Sequence, residues 1–179
     1  MPDARPPSYD AADPGAYVRH MLALVGDRDP VALLEAGPGV LADAAAGLSE
    51  AGARRRPSAG AWSPLQVLRH VADSEIVYGY RMRLIAAADR PQIPGYDQDA
   101  WAEALNYHRG TVADALRDHA DARRTTVRWL RALDDGQWGR VGFHSERGEE
   151  SIRQIAALLA AHDLAHAAQI TRVRAYLGA

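Results

Sequence analysis

The sequence contains no cysteine and no lysine. Without cysteine there is no disulfide, no thiolate ligand and no cysteine nucleophile. Histidine and carboxylates are left as the strong metal ligands. Without lysine, all 21 basic residues are arginine, which excludes Schiff-base chemistry and a phosphate-loop lysine. Charge of neither sign dominates: the formal net charge is −2, so the chain as a whole is not drawn to nucleic acid or to an acidic membrane. No basic stripe with interleaved aromatics marks a nucleic-acid surface. No apolar run of about 18 residues occurs, so no membrane span is expected. The opening MPDARPPSYDAADPGAY lacks the apolar stretch of a secretory signal. The expectation is a cytoplasmic protein with no nucleic-acid or membrane partner.

The chain has 179 residues, 47% of them hydrophobic and 25% charged. That size and balance suit one domain with a sizeable core. Residues 1–15, rich in proline and aspartate, read as a flexible N-terminal tail, and residues 16–179 as a single domain. Tyr17–Val25 is a short apolar segment. Asp29-Pro30 has the form of a helix start, an N-cap followed by proline at the first helical position. The periodic stretch from Val31 to Leu48 is interrupted by Gly37-Pro38. Ser63-Pro64-Leu65-Gln66 is a capping box that opens a helix running to about Ala88, where Arg90-Pro91 and Ile93-Pro94-Gly95 stop it. Asp97 caps a short helix through Leu105. A further helix spans about Gly110–Leu133, with an apolar stripe at Val112, Leu116, Val127 and Leu130. Residues 135–150 form an irregular loop or a small hairpin. A second capping box, Ser151-Ile152-Arg153-Gln154, opens the last helix, which reaches Leu177 and ends at Gly178. The fold class is all-α, a four-helix bundle with short extra helices.

Three histidines fall on helix faces that should be buried. His162 and His166 are four residues apart, one turn above each other on one face. Ile155, Leu159, Ile170, Val173 and Leu177 share that side, so the pair interrupts the core stripe. His70 does the same on the Ser63 helix, among Val67, Val77, Leu84 and Ile85, with Ser74 and Arg81 on the same face. A lone histidine on an apolar face is ordinarily a hydrogen-bonded core residue. Buried imidazoles need partners, however, and one metal ion satisfies three at once. His119 competes for this role, but Arg123 on its face would repel a cation. His20, His108 and His144 are placed at the surface, with His144 the one most able to border a site. Asp163 projects about 100° from the histidine pair and is a poor base for it. Gln66, Asp73 and Gln169 are better placed to orient the imidazoles, and Asp73 is the candidate catalytic proton acceptor. Arg81, three turns from His70, is the candidate for holding a carboxylate of a ligand.

The segment Trp62-Ser63-Pro64-Leu65-Gln66-Val67-Leu68-Arg69-His70-Val71-Ala72-Asp73-Ser74-Glu75 resembles the first metal-histidine segment of the DinB-like superfamily. Ala161-His162-Asp163-Leu164-Ala165-His166-Ala167-Ala168-Gln169-Ile170 resembles its C-terminal histidine pair. Pro94-Gly95-Tyr96-Asp97-Gln98-Asp99-Ala100-Trp101-Ala102-Glu103 is similar to a segment of the YfiT-type branch, whose members are commonly named metal-dependent hydrolases. The resemblance runs from about Tyr17 to the C-terminus. It implies a four-helix bundle in which His70, His162 and His166 bind nickel, zinc or a similar divalent ion, and it implies a homodimer. Relatives also include S-transferases that use low-molecular-weight thiols, a mycothiol-dependent isomerase and a domain of a sulfur-transferring iron enzyme. Two functions follow as expectations. One is a metal-dependent enzyme acting on a small molecule, either a hydrolase or a thiol S-transferase. The other is a non-catalytic binding module whose metal is structural, with a carboxylate such as Asp73 closing the coordination shell.

Overall fold

A computed structural model describes residues 13–178. The expected flexible tail lies outside the described residues except at its end, where Pro14 already begins a helix. In chain order the helices are α1 (Pro14–Val25), α2 (Pro30–Ala45), α3 (Glu50–Ala53), α4 (Pro64–Ala87), α5 (Gln98–Ala104), α6 (Val112–Leu130), α7 (Asp135–Trp138) and α8 (Ile152–Leu177). Three short strands, β1 (Gln92–Ile93), β2 (Val141–His144) and β3 (Gly148–Ser151), form one sheet in that order.

Local chemistry sets most of the helix ends. Asp29 accepts from Val31 N at 3.0 Å, and Pro30 occupies the first helical position. Ser63 and Gln66 form the reciprocal capping box of α4. Asp97 caps α5 through Asp99 N and Ala100 N. Gly178 closes α8 in the left-handed conformation. Only half of the second expected box forms. Ser151 Oγ accepts from Gln154 N at 3.1 Å, but Ser151 also ends β3, opposite Val141. Thr111, which the sequence pattern puts inside the α6 helix, is instead its N-cap.

Residues 141–151 resolve into a hairpin, β2 against β3, with Gly148 at a φ of +80°. That is the left-handed position a three-residue hairpin loop requires of its closing residue. β1 then pairs in parallel with β2, Ile93 opposite His144.

The expected break at Gly37-Pro38 is absent, and α2 is continuous through Pro38. Proline has no N–H to give to the carbonyl four residues back, here Leu34. That carbonyl accepts instead from Arg123 Nη1 at 2.7 Å. A distant side chain thus supplies the bond that proline removes.

The bundle consists of α2, α4, α6 and α8, with α2 packed on α8 and α6, and α4 packed on α6 and α8. Its apolar core is divided in two. One cluster holds Leu34, Met82, Ile85, Val127, Leu130, Ile155 and Leu159. The other holds Leu41, Leu65, Leu68, Ala115, Tyr107 and Ile170. Each long helix contributes to both, so their order along each helix gives its direction. The neighbours α2 and α8 run the same way, and α4 and α6 run together in the opposite sense. Parallel neighbours cannot be joined by a tight turn. Residues 88–111 therefore cross the length of the bundle, and this crossover carries Tyr96 and Tyr107 past α4. Between the two apolar clusters lies a buried polar layer: His70, Ser74, Glu75, His119, Arg123, His162, Asp163, His166 and Gln169. No described helix is long and apolar enough to cross a membrane.

Candidate metal centre

The polar layer has two parts. In the first, α4 brings His70 against His162 and His166 of α8. The Nε2 atoms of His70 and His162 are 3.1 Å apart, as are those of His162 and His166. The three residues are 2%, 6% and 4% exposed. Burial, reinforced by the neighbouring imidazoles, holds His70 and His162 well below the usual histidine range. Burial likewise lowers His166 to about 4. All three rings are neutral at pH 7 and keep a lone pair for a ligand bond.

The hydrogen bonding fixes where one of those lone pairs sits. Gln169 Oε1 lies 2.7 Å from His166 Nδ1. As an acceptor it places the His166 proton on Nδ1 and leaves the lone pair on Nε2. The single Nε2 proton that His162 can carry serves only one of its two neighbours. The Nδ1 atoms of His70 and His162 are buried with no hydrogen-bond partner among the described residues. Hydrogen bonding therefore leaves one of the two 3.1 Å Nε2–Nε2 approaches without a proton of its own, whereas a cation between the three nitrogens takes all three Nε2 lone pairs at once. The spacing also fits. Metal–nitrogen bonds of about 2.0–2.1 Å at tetrahedral or octahedral angles place ligand nitrogens roughly 2.8–3.4 Å apart. The ligand atoms of this trio all lie within 4.8 Å of one another, and no carboxylate joins the cluster among the described residues.

Around the cluster, the Trp62 ring packs 4.9 Å from the His70 ring. Ser74 Oγ is 3.5 Å from His70 Nε2 and 3.1 Å from Tyr96 Oη. The Ser74 hydroxyl thus borders the imidazoles, with the Tyr96 hydroxyl of the crossover behind it. Burial raises the Tyr96 pKa, so this phenol keeps its proton.

The second part is an ion-pair network beside the first. Arg123 Nε donates to Glu75 Oε2 at 2.7 Å, and Nη1 donates to Asp163 Oδ2 at 2.6 Å as well as to Leu34 O. One guanidinium thereby joins all four bundle helices. Burial alone would raise the Asp163 pKa, and Arg123 and His119 offset this and hold it below the usual range. Gly37 is what lets α2 come this close. A Cβ there would collide with Asp163 Oδ2 and lie 2.5 Å from Arg123 Nη1.

Other expected site residues are placed as follows. Gln169 orients His166, as its spacing implied. Gln66 does not reach the cluster, because its Oε1 accepts from Ser63 N in the cap. Asp73 lies outside the cluster and accepts from Tyr107 Oη at 2.6 Å. His119 is buried beside Asp163, with Nε2 3.5 Å from Oδ1. Asp163 points into the ion-pair network, away from the histidines. His20 and His108 are exposed. His144 corrects its expected surface position: it is 3% exposed, because the β1–β2 pairing folds the hairpin back against the bundle. No local pattern in the sequence marks Tyr96 or the Glu75–Arg123 pair, and the glycine and proline inside α2 are the one trace of the latter.

Residues 33–170 match the DinB superfamily. The chain belongs to the DinB superfamily. Among curated relatives, the Bacillus subtilis protein named "Putative metal-dependent hydrolase YfiT" is 30% identical over 123 residues, covering 66% of this chain and 67% of its own. A similarly named Oceanobacillus iheyensis protein is 31% identical over 113 residues, 63% of this chain and 64% of that one. The match thus spans less than two thirds of the latter's length. The solved structure of Bacillus subtilis YfiT, described as "a probable metal-dependent hydrolase with an unusual four-helix bundle topology", superposes with a TM-score of 0.78 at 25% identity. The superposition covers 83% of this chain and 86% of that one.

Proposed function

We propose that His70, His162 and His166 hold one divalent ion, nickel or zinc, and that this DinB-superfamily protein is a metal-dependent hydrolase of a small molecule. The observation that carries the proposal is the convergence of three buried, neutral imidazoles whose Nε2 atoms approach to 3.1 Å, a spacing that suits the ligands of one ion. The names of the relatives point the same way.

When bound, the ion supplies Lewis acidity toward a carbonyl or a water. The protein's own groups do the rest. Gln169 fixes the His166 tautomer and ring orientation. The Ser74 hydroxyl stands at the edge of the cluster, where it can donate to an oxygen of the substrate, with the Tyr96 hydroxyl behind it. The apolar clusters on both sides exclude bulk water and strengthen each of these interactions. A catalytic rather than a structural ion is favoured because three histidines with no carboxylate among them leave coordination positions open.

The test is metal content by mass spectrometry on protein purified without a polyhistidine tag, followed by a panel of ester and amide substrates. About one ion per chain is expected in the wild type and none in His162→Ala or His166→Ala. Hydrolysis that survives in His70→Ala would refute the mechanism.

A further inference from the structure

Three arginines are buried or nearly so. Arg123 has Glu75 and Asp163. Arg147 is gripped by Glu150 through two bonds, at 2.6 and 2.9 Å. Arg81, 3% exposed, has no carboxylate partner among the described residues. Its Nη2 donates to Pro94 O at 2.7 Å, and its guanidinium carbon sits 5.3 Å from the Tyr78 ring centroid and 5.8 Å from that of Tyr96. Burial lowers its pKa, but guanidinium remains charged at any physiological pH. A buried charge without a counter-charge is costly.

A second unanswered donor lies on the neighbouring strand. His144 Nδ1 accepts from Glu146 N at 3.2 Å, so the proton of the neutral ring is on Nε2. His144 Nε2 is buried and has no hydrogen-bond partner among the described residues. β1 links the two groups. Pro94, whose carbonyl binds Arg81, follows Ile93, and Ile93 is the register partner of His144. The charges acting on His144 are Arg147 and Arg81, which together with burial lower it to about 3.

We propose that Arg81 and His144 Nε2 form a subsite for the carboxylate of a small substrate. The part of this inference that places the subsite in an active site rests on the metal-dependent function proposed above. The connection to the histidine cluster is short. Tyr96, one of the two rings holding Arg81, bonds through its hydroxyl to Ser74, which borders His70. Tyr78, the other, has its ring centroid 6.1 Å from that of His162. A carboxylate matches the site better than a phosphate because its two oxygens correspond to the free edge of a planar guanidinium and one imidazole N–H.

The test uses the full chain stripped of metal with a chelator, so that neither probe can bind through an ion. The imidazole signals of His144, assigned with His144→Gln, are followed by 1H–15N NMR while sodium acetate is added. Sodium chloride at equal ionic strength is the blank. The wild type should show a saturable shift with a midpoint on the order of millimolar, the range open to so small a ligand. Arg81→Met should raise that midpoint about tenfold or more, and the exposed-site control Arg128→Met should leave it unchanged. An unsaturable wild-type response, or an Arg81→Met midpoint equal to the wild-type one, overturns the subsite. Tighter binding of inorganic phosphate than of acetate at pH 7 overturns the carboxylate assignment. Should Arg81→Met fail to fold, Arg81→Lys keeps the charge but loses the fork, and an unchanged midpoint there refutes the forked contact. Because metal is absent throughout, failure here is separate from failure of the metal-content test.

Discussion

Two glycines, two residues apart in α2, should respond to the same substitution with opposite signs. Replacing a helix-interior glycine by alanine ordinarily stabilises by roughly 0.5–1 kcal/mol, because the unfolded chain loses freedom. Gly39 has no atom within 4 Å of a prospective Cβ, so Gly39→Ala should realise that gain. Gly37 faces the Arg123–Asp163 pair, and a Cβ there would meet both partners. Overpacking a rigid interior costs about 1–3 kcal/mol, and dislodging a buried ion pair costs about 3–5 kcal/mol. After the propensity gain is subtracted, Gly37→Ala should destabilise by about 2 kcal/mol or more. For a chain of this size about 1 kcal/mol moves Tm by roughly 2–4 °C. Differential scanning calorimetry and urea titration at fixed metal content should therefore show Tm lower by at least about 4 °C for Gly37→Ala and higher by about 1–4 °C for Gly39→Ala. If both variants are stabilised, the close approach of α2 to the ion-pair network is not a constraint and the account of Gly37-Pro38 fails.

Three further outcomes are expected. Arg123→Met leaves Glu75, Asp163 and the Leu34 carbonyl without their donor and should cost about 3–5 kcal/mol. Adding Pro38→Ala should recover more stability in that background than in the wild type, because the restored backbone N–H can again serve the Leu34 carbonyl, and a double-mutant cycle by urea titration measures the coupling. His144 has a folded pKa of about 3, below the unfolded value. Between those values the unfolded chain takes up a proton that the native protein refuses. The associated stability is complete above about pH 6.5 and is lost as pH falls toward the folded value. At pH 5 the loss is at most about 2 kcal/mol, and His144→Gln should flatten the urea midpoint between pH 6.5 and pH 5 by that share. Gln169→Leu should weaken metal affinity by about 10- to 100-fold with little change in fold, read by competition with a chromogenic chelator. Unchanged affinity would mean that the Gln169 contact does not orient His166.

The parts of the molecule that were legible in the sequence are those fixed within a turn or two of chain. The cap at Ser63, the cap at Asp97 and the stop at Gly178 each depend on residues no more than a few positions away. The inward placement of His70, His162 and His166 followed from helical periodicity alone, and their convergence followed from the bundle. What escaped is long-range. Continuity of α2 through Pro38 depends on Arg123, a partner 89 positions from Leu34. Arg123 itself read as a charge that would repel a metal, because Glu75 and Asp163, which neutralise it, come from other helices. His144 read as exposed because nothing local announces that Gln92–Ile93 pairs with β2. Asp73, at a promising spacing from His70, is engaged by Tyr107, which arrives through the crossover.

The guanidinium of Arg123 also bears on how the protein comes apart. It holds a carboxylate from α4, a carboxylate from α8 and a carbonyl of α2, from a position within α6. Departure of any one helix strands a charge or a carbonyl in the interior. Partial opening of the bundle is therefore penalised at every edge, and opening should be all-or-none. In native-state hydrogen exchange, the central amides of α2, α4, α6 and α8 should open as one cooperative unit with a common free energy, while the caps and the hairpin loop exchange earlier.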